Sequence, residues 1–152
     1  MNDVQSNLIG INHVALEVGD IDAALAFYGR YFRFELRGRS DGAAFIDMGD
    51  QFLALMQSGT EQTDRTRHFG LVVDDREGLR ARMEADGVTF VSEQRFDFLD
   101  PWGNRVEIVA YPDIQFLKDR AVLSGMGQGG LRKSAEALEE LREKGIEPPD
   151  DS

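Results

Sequence analysis

The chain has 152 residues, enough for one domain with a sizeable apolar interior or for two small modules sharing a core. Its 17 basic residues stand against 28 acidic ones, and a net charge of -11 repels phosphate backbones and anionic lipid surfaces, so neither nucleic acid nor a membrane is expected as a partner. Cysteine is absent, which excludes disulfides, thiolate metal sites and cysteine nucleophiles; any metal must bind through His, Asp or Glu. The N-terminal residues lack a basic region followed by an apolar run, and no apolar stretch approaches the ~20 residues needed to span a bilayer, so the expected location is cytoplasmic.

Alternation predicts a strand over residues 10–18, with Val14, Leu16 and Val18 on one face and His13, Ala15 and Glu17 on the other. Asp20 or Asp22 can cap the helix that follows, whose apolar residues Ala24, Leu25, Tyr28, Tyr31 and Phe32 recur at helical spacing and cover the Val14 face. Three short strands are expected at 34–39, 43–48 and 51–57, separated by the turn signals SDG and MGD. The same order then recurs: RHFGLVVDD is a strand, REGLRARMEADG a helix ending at Gly87, and VTFVSE, RFDFLD and RVEIVAY are three more strands. Placing His13 on His68 puts Leu16 on Leu71, Val18 on Val73 and Asp20 on Asp75. Placing FIDMGDQFLALM on FLDPWGNRVEIV puts Phe45 on Phe98, Asp47 on Asp100 and position 54 on position 107.

Two copies of a βαβββ unit predict an α+β domain over residues 8–112, with modules 8–58 and 66–112 forming a curved eight-stranded mixed sheet around a cavity. Residues 113–152 have no counterpart in the first half and are expected to form a helical C-terminal extension. There Leu131, Ala135, Leu138 and Leu141 make an apolar stripe, Gly145 suits a helix stop, and EPPDDS reads as frayed.

The only two histidines, His13 and His68, occupy equivalent points of the repeat and should face one cavity. In RVEIVAY, Val106 and Ile108 are the apolar partners of the covering helix, which leaves Arg105, Glu107 and Val109 on the cavity side. A carboxylate on a buried strand needs a partner or a metal. Two histidines and a carboxylate with open coordination positions suit a divalent ion that also takes substrate oxygens. Each residue alone has an ordinary alternative, as a hydrogen-bonded core histidine or, for Glu107, as the partner of Arg105 or Arg95. Their conjunction favours ligation.

The stretches INHVALEVGDIDAALAFYGRYFRFEL and FDFLDPWGNRVEIVAY resemble the vicinal oxygen chelate superfamily of glyoxalase I, extradiol dioxygenases, fosfomycin-resistance thiol transferases, epimerases and bleomycin-binding proteins. The resemblance implies that His13, His68 and Glu107 are metal ligands. The fourth ligand of glyoxalase-like members would fall at Ala54, so the pattern is similar to the three-ligand set of the dioxygenases and fosfomycin enzymes. Fosfomycin enzymes carry a Thr and a Tyr where this chain has Ala15 and Asp97, and an anionic Asp97 would repel a phosphonate. Extradiol dioxygenases keep a further histidine as acid–base, and here both are used as ligands.

By the same resemblance the cofactor is a divalent ion, Fe, Mn, Zn or Ni, and the substrate a small molecule held through two neighbouring oxygens. A homodimer is implied, in which His13 meets His68 within one chain or across the pair. Glu17 and Asp97 are the candidate catalytic carboxylates, either of which could move a proton beside a metal-bound carbonyl or enol. Their alternative places are the solvent end of the strand for Glu17 and a pair with Arg95 or Arg105 for Asp97. Phe52 and Met56 share the face of Ala54 and could line an apolar wall. Asp100, Pro101, Gly103 and Asn104 read as a tight turn. Proton transfer of the lyase or isomerase kind is the preferred reaction; an Fe(II) extradiol-type dioxygenase and a metal-free binding protein of the bleomycin-resistance kind are the alternatives.

Overall fold

A computed structural model describes residues 11–59, 62–150 and 152. In the first module β1 (His13–Val18) leads into α1 (Ile21–Tyr31), whose start is set by Asp20, its carboxylate accepting the amide of Ala23 at 2.7 Å. Then come β2 (Leu36–Ser40), β3 (Ala43–Asp47) and β4 (Phe52–Gln57), making a sheet of order β1-β4-β3-β2. The second module repeats the plan with β5 (Phe69–Val73), α2 (Arg76–Ala85), β6 (Asp97–Leu99) and β7 (Arg105–Ala110), in a sheet of order β5-β7-β6. Asp75 caps α2 as Asp20 caps α1. In each module the first and last strands are parallel, the others antiparallel.

The registers carry the duplication to single residues. Ala54 lies opposite Ala15, two residues after His13, and Glu107 lies opposite Gly70, two residues after His68. The hairpins are not in step, however. Ala54 faces Phe45 whereas Glu107 faces Asp97, so Asp97 and not Phe98 occupies the place of Phe45. The second turn is one residue longer, which an ungapped overlay of the two stretches conceals.

The expected eight-stranded sheet is instead seven strands in two sheets of four and three among the described residues. Residues 88–93 supply only the bridge of Phe90 with Phe98, flanked by Val91 N–H to Asp97 O and Leu99 N–H to Thr89 O, both 2.9 Å. Beyond it the Ser92 hydroxyl accepts the amides of Gln94 and Arg95, and this local turn competes with further pairing.

One apolar core joins the modules. Leu16, Val18, Ala44, Ile46, Leu53 and Leu55 of the first sheet meet Phe98, Val106 and Ile108 of the second through α1 (Ile21, Ala24, Tyr28) and α2 (Leu79, Met83). Both sheets therefore bury their helix-covered faces and turn the faces bearing His13 and Glu107 outward.

The β6–β7 turn does more than reverse the chain. Asp100 accepts the Tyr28 hydroxyl at 2.8 Å and the amides of Trp102 and Asn104, while the Asn104 side chain donates to the Glu17 carbonyl at 2.8 Å. A turn of one module thus clamps the helix and first strand of the other. Gly103 is required there: its φ is +82°, and a Cβ would stand 2.7 Å from the Thr63 backbone. Burial pushes the Asp100 carboxyl above the usual carboxylate range. Tyr28→Phe removes one donor from this buried acceptor and is expected to lower unfolding stability by about 1–3 kcal/mol, read by urea denaturation.

The extension follows as a 3-10 turn (Tyr111–Asp113), α3 (Arg120–Gly125) and α4 (Ala135–Glu143). Ser134 caps α4, which leaves Leu131 outside the helix; the buried stripe is Ala137 and Leu141 with Leu138 half-buried, and Ala135 is exposed. Lys118 pairs with Asp50 and donates to the Met48 carbonyl, tying the extension to the β3–β4 turn. The buried Lys133 ammonium donates to the carbonyls of Tyr111 (2.6 Å) and Ile114 (2.8 Å) and lies 3.7 Å from the Tyr111 ring centroid.

Burial pushes Lys133 from its ordinary 10.5 down to about 8. Between those two values the unfolded chain holds a proton that the folded chain has released, so this residue's contribution to stability rises with pH there and is flat below about 8. Urea denaturation at about pH 7 and about pH 9.5 should show wild type gaining on Lys133→Met at the higher pH; an unchanged difference contradicts this.

Candidate metal centre

His68 immediately precedes β5, and Glu107 projects from the middle of β7. The imidazole Nδ1 of His68 lies 2.8 Å from the Thr66 carbonyl. A carbonyl only accepts, so Nδ1 carries the hydrogen, and in the neutral imidazole Nε2 then presents a lone pair. That Nε2 is 3.6 Å from Glu107 Oε2, and both side chains are 35% exposed. Opposite Glu107 stands Gly70, which adds no side chain over the pair. A histidine oriented through Nδ1 with Nε2 directed at a carboxylate fits a divalent ion.

His13 opens β1 on the other sheet. Its Nδ1 is 2.9 Å from the Asn12 side-chain oxygen, so here too Nε2 is left for a ligand role. Its ring stacks on Phe52 at 4.6 Å and 7°, and Phe52 is in turn met edge-on by Phe45. Among the described residues of one chain, no three His, Asp or Glu side chains converge. The structure brings together His68 and Glu107 and leaves His13 on the open face of the four-stranded sheet.

Asp97 lies directly across from Glu107 on β6 and is fully buried. Its Oδ2 accepts Nε and Nη2 of Arg105 at 2.9 and 2.5 Å, and its Oδ1 has no partner. Arg105 also donates to the Arg65 carbonyl, next to the Thr66 that anchors His68. Glu17 shares the open face with His13, four residues or about 13 Å further along the strand. Ala54 is buried between Ala15 and Phe45; Met56 on the same face is 41% exposed. The anchors of both histidines, the Asn12 side chain and the Thr66 carbonyl, went unread in the sequence, and a backbone carbonyl leaves no residue-type signal. A cleft of about 930 Å³ between the extension, the α1–β2 loop and the end of β5 contains none of His13, His68 or Glu107.

The chain matches the family model of the Glyoxalase/Bleomycin resistance protein/Dioxygenase superfamily over residues 10–108, and it belongs to that superfamily. It is 28% identical over 113 residues to the glutathione transferase FosA of Serratia marcescens, covering 66% of this chain and 80% of that protein. Among solved structures, a possible glyoxalase from Bacillus cereus is 28% identical with a TM-score of 0.54, covering 67% of this chain and 99% of that one. Lactoylglutathione lyase from Agrobacterium tumefaciens is 25% identical with a TM-score of 0.55, covering 70% and 96%. The fosfomycin resistance protein FosX of Listeria monocytogenes, at 20% identity and a TM-score of 0.55 over 68% and 94%, shares the fold. No helix among the described residues is long and apolar enough to cross a membrane.

Proposed function

We propose that the chain is a divalent-metal enzyme in which His13, His68 and Glu107 hold the ion and a small substrate binds through two neighbouring oxygens, the reaction being proton transfer of the lyase or isomerase kind. The observation that carries this reading is the His68–Glu107 pair, 3.6 Å apart with the His68 Nδ1 tied back to a carbonyl. The third ligand comes from the partner of a homodimer. One chain holds His68 and Glu107 on one open sheet face and His13 on another, and these faces carry Phe52, Met56 and Val72, apolar surface that a second copy would cover. A FosX structure from Listeria monocytogenes is complexed with Mn(II), and a divalent ion of that kind accepts imidazole and carboxylate donors.

When bound, the ion would polarise a substrate carbonyl and stabilise the charge that develops on its oxygen. Of the two candidate bases, Asp97 faces Glu107 across the ladder, with a Cβ separation of about 5 Å. Arg105 occupies its Oδ2 and the unpartnered Oδ1 is buried, so Asp97 would take a proton only from a group seated directly against Oδ1. Glu17 would serve only a substrate extended along β1.

Ala54 in place of a fourth ligand leaves the three-ligand set that Fe(II) oxygenases also use, so an extradiol-type dioxygenase is the second reading. Metal analysis of protein purified without chelator, followed by oxygen uptake with catechols, separates the cases. Stoichiometric metal without oxygen uptake supports proton transfer, and uptake selects the dioxygenase. Absence of stoichiometric metal sinks the metal-enzyme reading and leaves a binding protein.

A further inference from the structure

The open face of the four-stranded sheet carries a cation that the metal ligands do not use. Between β2 and β3, Leu36 pairs with Ile46 and then Gly38 with Phe45, so Arg37 is an extra residue in the ladder, a β-bulge. Regular pairing would set Gly38 against Ala44 on the helix side. The bulge instead puts Arg37 and Gly38 successively on the Phe45 side and returns Arg39 to the helix side, where it pairs with Asp22. Glycine at 38 leaves the space above that face to the Arg37 side chain.

The Arg37 guanidinium lies 4.8 Å from the centroid of the Phe52 ring. β1 lies beside β4 on one side and β2 lies beyond β3 on the other, so Phe52 stands between Arg37 and His13, which stacks on it at 4.6 Å. A guanidinium that stacks on a ring engages its flat face and leaves its N–H edge to other partners. The Arg37 edge makes no hydrogen bond or ion pair among the described residues, whereas Arg30, Arg39, Arg80 and Arg105 each hold a carboxylate. On a chain of net charge -11, an anionic substrate approaches against the overall field unless a local cation receives it.

We propose that Arg37 is the oxyanion-recognising residue of the substrate site: the substrate carries a carboxylate or phosphate that the Arg37 edge grips, one aromatic ring away from His13. The inference rests on the reading of His13 as a metal ligand for its claim that the reacting end lies on the other side of Phe52. A planar fork of donors held on an aromatic platform is already oriented for bidentate oxyanion binding, which a lysine cannot reproduce.

The test titrates inorganic phosphate, and separately acetate, into the full-length metal-free protein, following the arginine Nε–Hε NMR signals and the heat of binding. Wild type should show a saturable shift of the signal that Arg37→Met lacks. Arg37→Met should bind phosphate about tenfold or more weakly, Arg37→Lys should fall between, and Arg39→Met should match wild type. Arg37 is exposed, so these variants should keep the wild-type circular dichroism spectrum. Unchanged phosphate affinity in Arg37→Met, or phosphate shifting other arginines while Arg37 stays still, overturns the proposal. Because the titration needs no metal, a protein that binds phosphate at Arg37 yet takes up no ion would sink the metal reading alone.

Discussion

His68→Ala and Glu107→Ala should each leave the purified protein without stoichiometric divalent metal while its circular dichroism spectrum and unfolding midpoint stay close to wild type. Both side chains are partly exposed, and neither belongs to the apolar core that sets stability. Loss of an outer-shell partner alone typically costs about 10–100-fold in metal affinity, and loss of a ligand costs more. His68→Gln, which keeps a polar side chain without the imidazole Nε2, should behave like the alanine variant. Metal content by mass spectrometry reads the result directly. A His68→Ala protein that carries as much ion as wild type would show that the Nε2 directed at Glu107 is only a surface contact.

Asp97→Ala should be the most damaging single carboxylate substitution in the chain. Asp97 is fully buried and its partner Arg105 nearly so, and removing one member of a buried pair typically costs about 3–5 kcal/mol because the other is left uncompensated. Asp97→Asn keeps the shape and an acceptor oxygen and should cost less. The damage should reach the metal as well. Arg105 links Asp97 to the Arg65 carbonyl, and the adjoining Thr66 carbonyl orients His68, so a released Arg105 loosens the loop that fixes His68. Asp97→Ala is therefore expected to weaken metal binding by about 10–100-fold even after correction for the unfolded fraction. Metal affinity unchanged in the folded variant would confine Asp97 to the ion pair.

Much of this site can be read from alternation. His13, Ala15 and Glu17 against Val14, Leu16 and Val18 assigns a face to each residue of β1, and Val106 and Ile108 do the same for Glu107, because strands here are covered by helices on one side only. Where the chain departs from a strict period of two, residue type alone is silent. The extra residue in the β6–β7 turn moved Asp97 into the place of Phe45, and the bulge at Arg37 reversed the faces of Gly38 and Arg39; either register is compatible with the same apolar pattern. Residues 88–93 have strand composition, yet the Ser92 turn stops their pairing after one bridge. Nothing in the residue pattern marks Lys133 as buried; only the fold brings the carbonyls of Tyr111 and Ile114 to its ammonium. Nor does the pattern say where the two modules meet. Both bury their helix sides together, which separates His13 from the His68–Glu107 pair within one chain.

That separation makes the assembly of the site across two copies the claim most open to direct measurement. His13→Ala and His68→Ala chains, each unable to complete a site, can be unfolded together in equal amounts, refolded and assayed for bound metal. In a twofold dimer whose sites each draw His13 from one copy and His68 with Glu107 from the other, every mixed dimer regains one intact site. Random pairing should then restore about a quarter of the wild-type metal content. A mixture that holds no more metal than the two variants refolded separately would contradict the shared site.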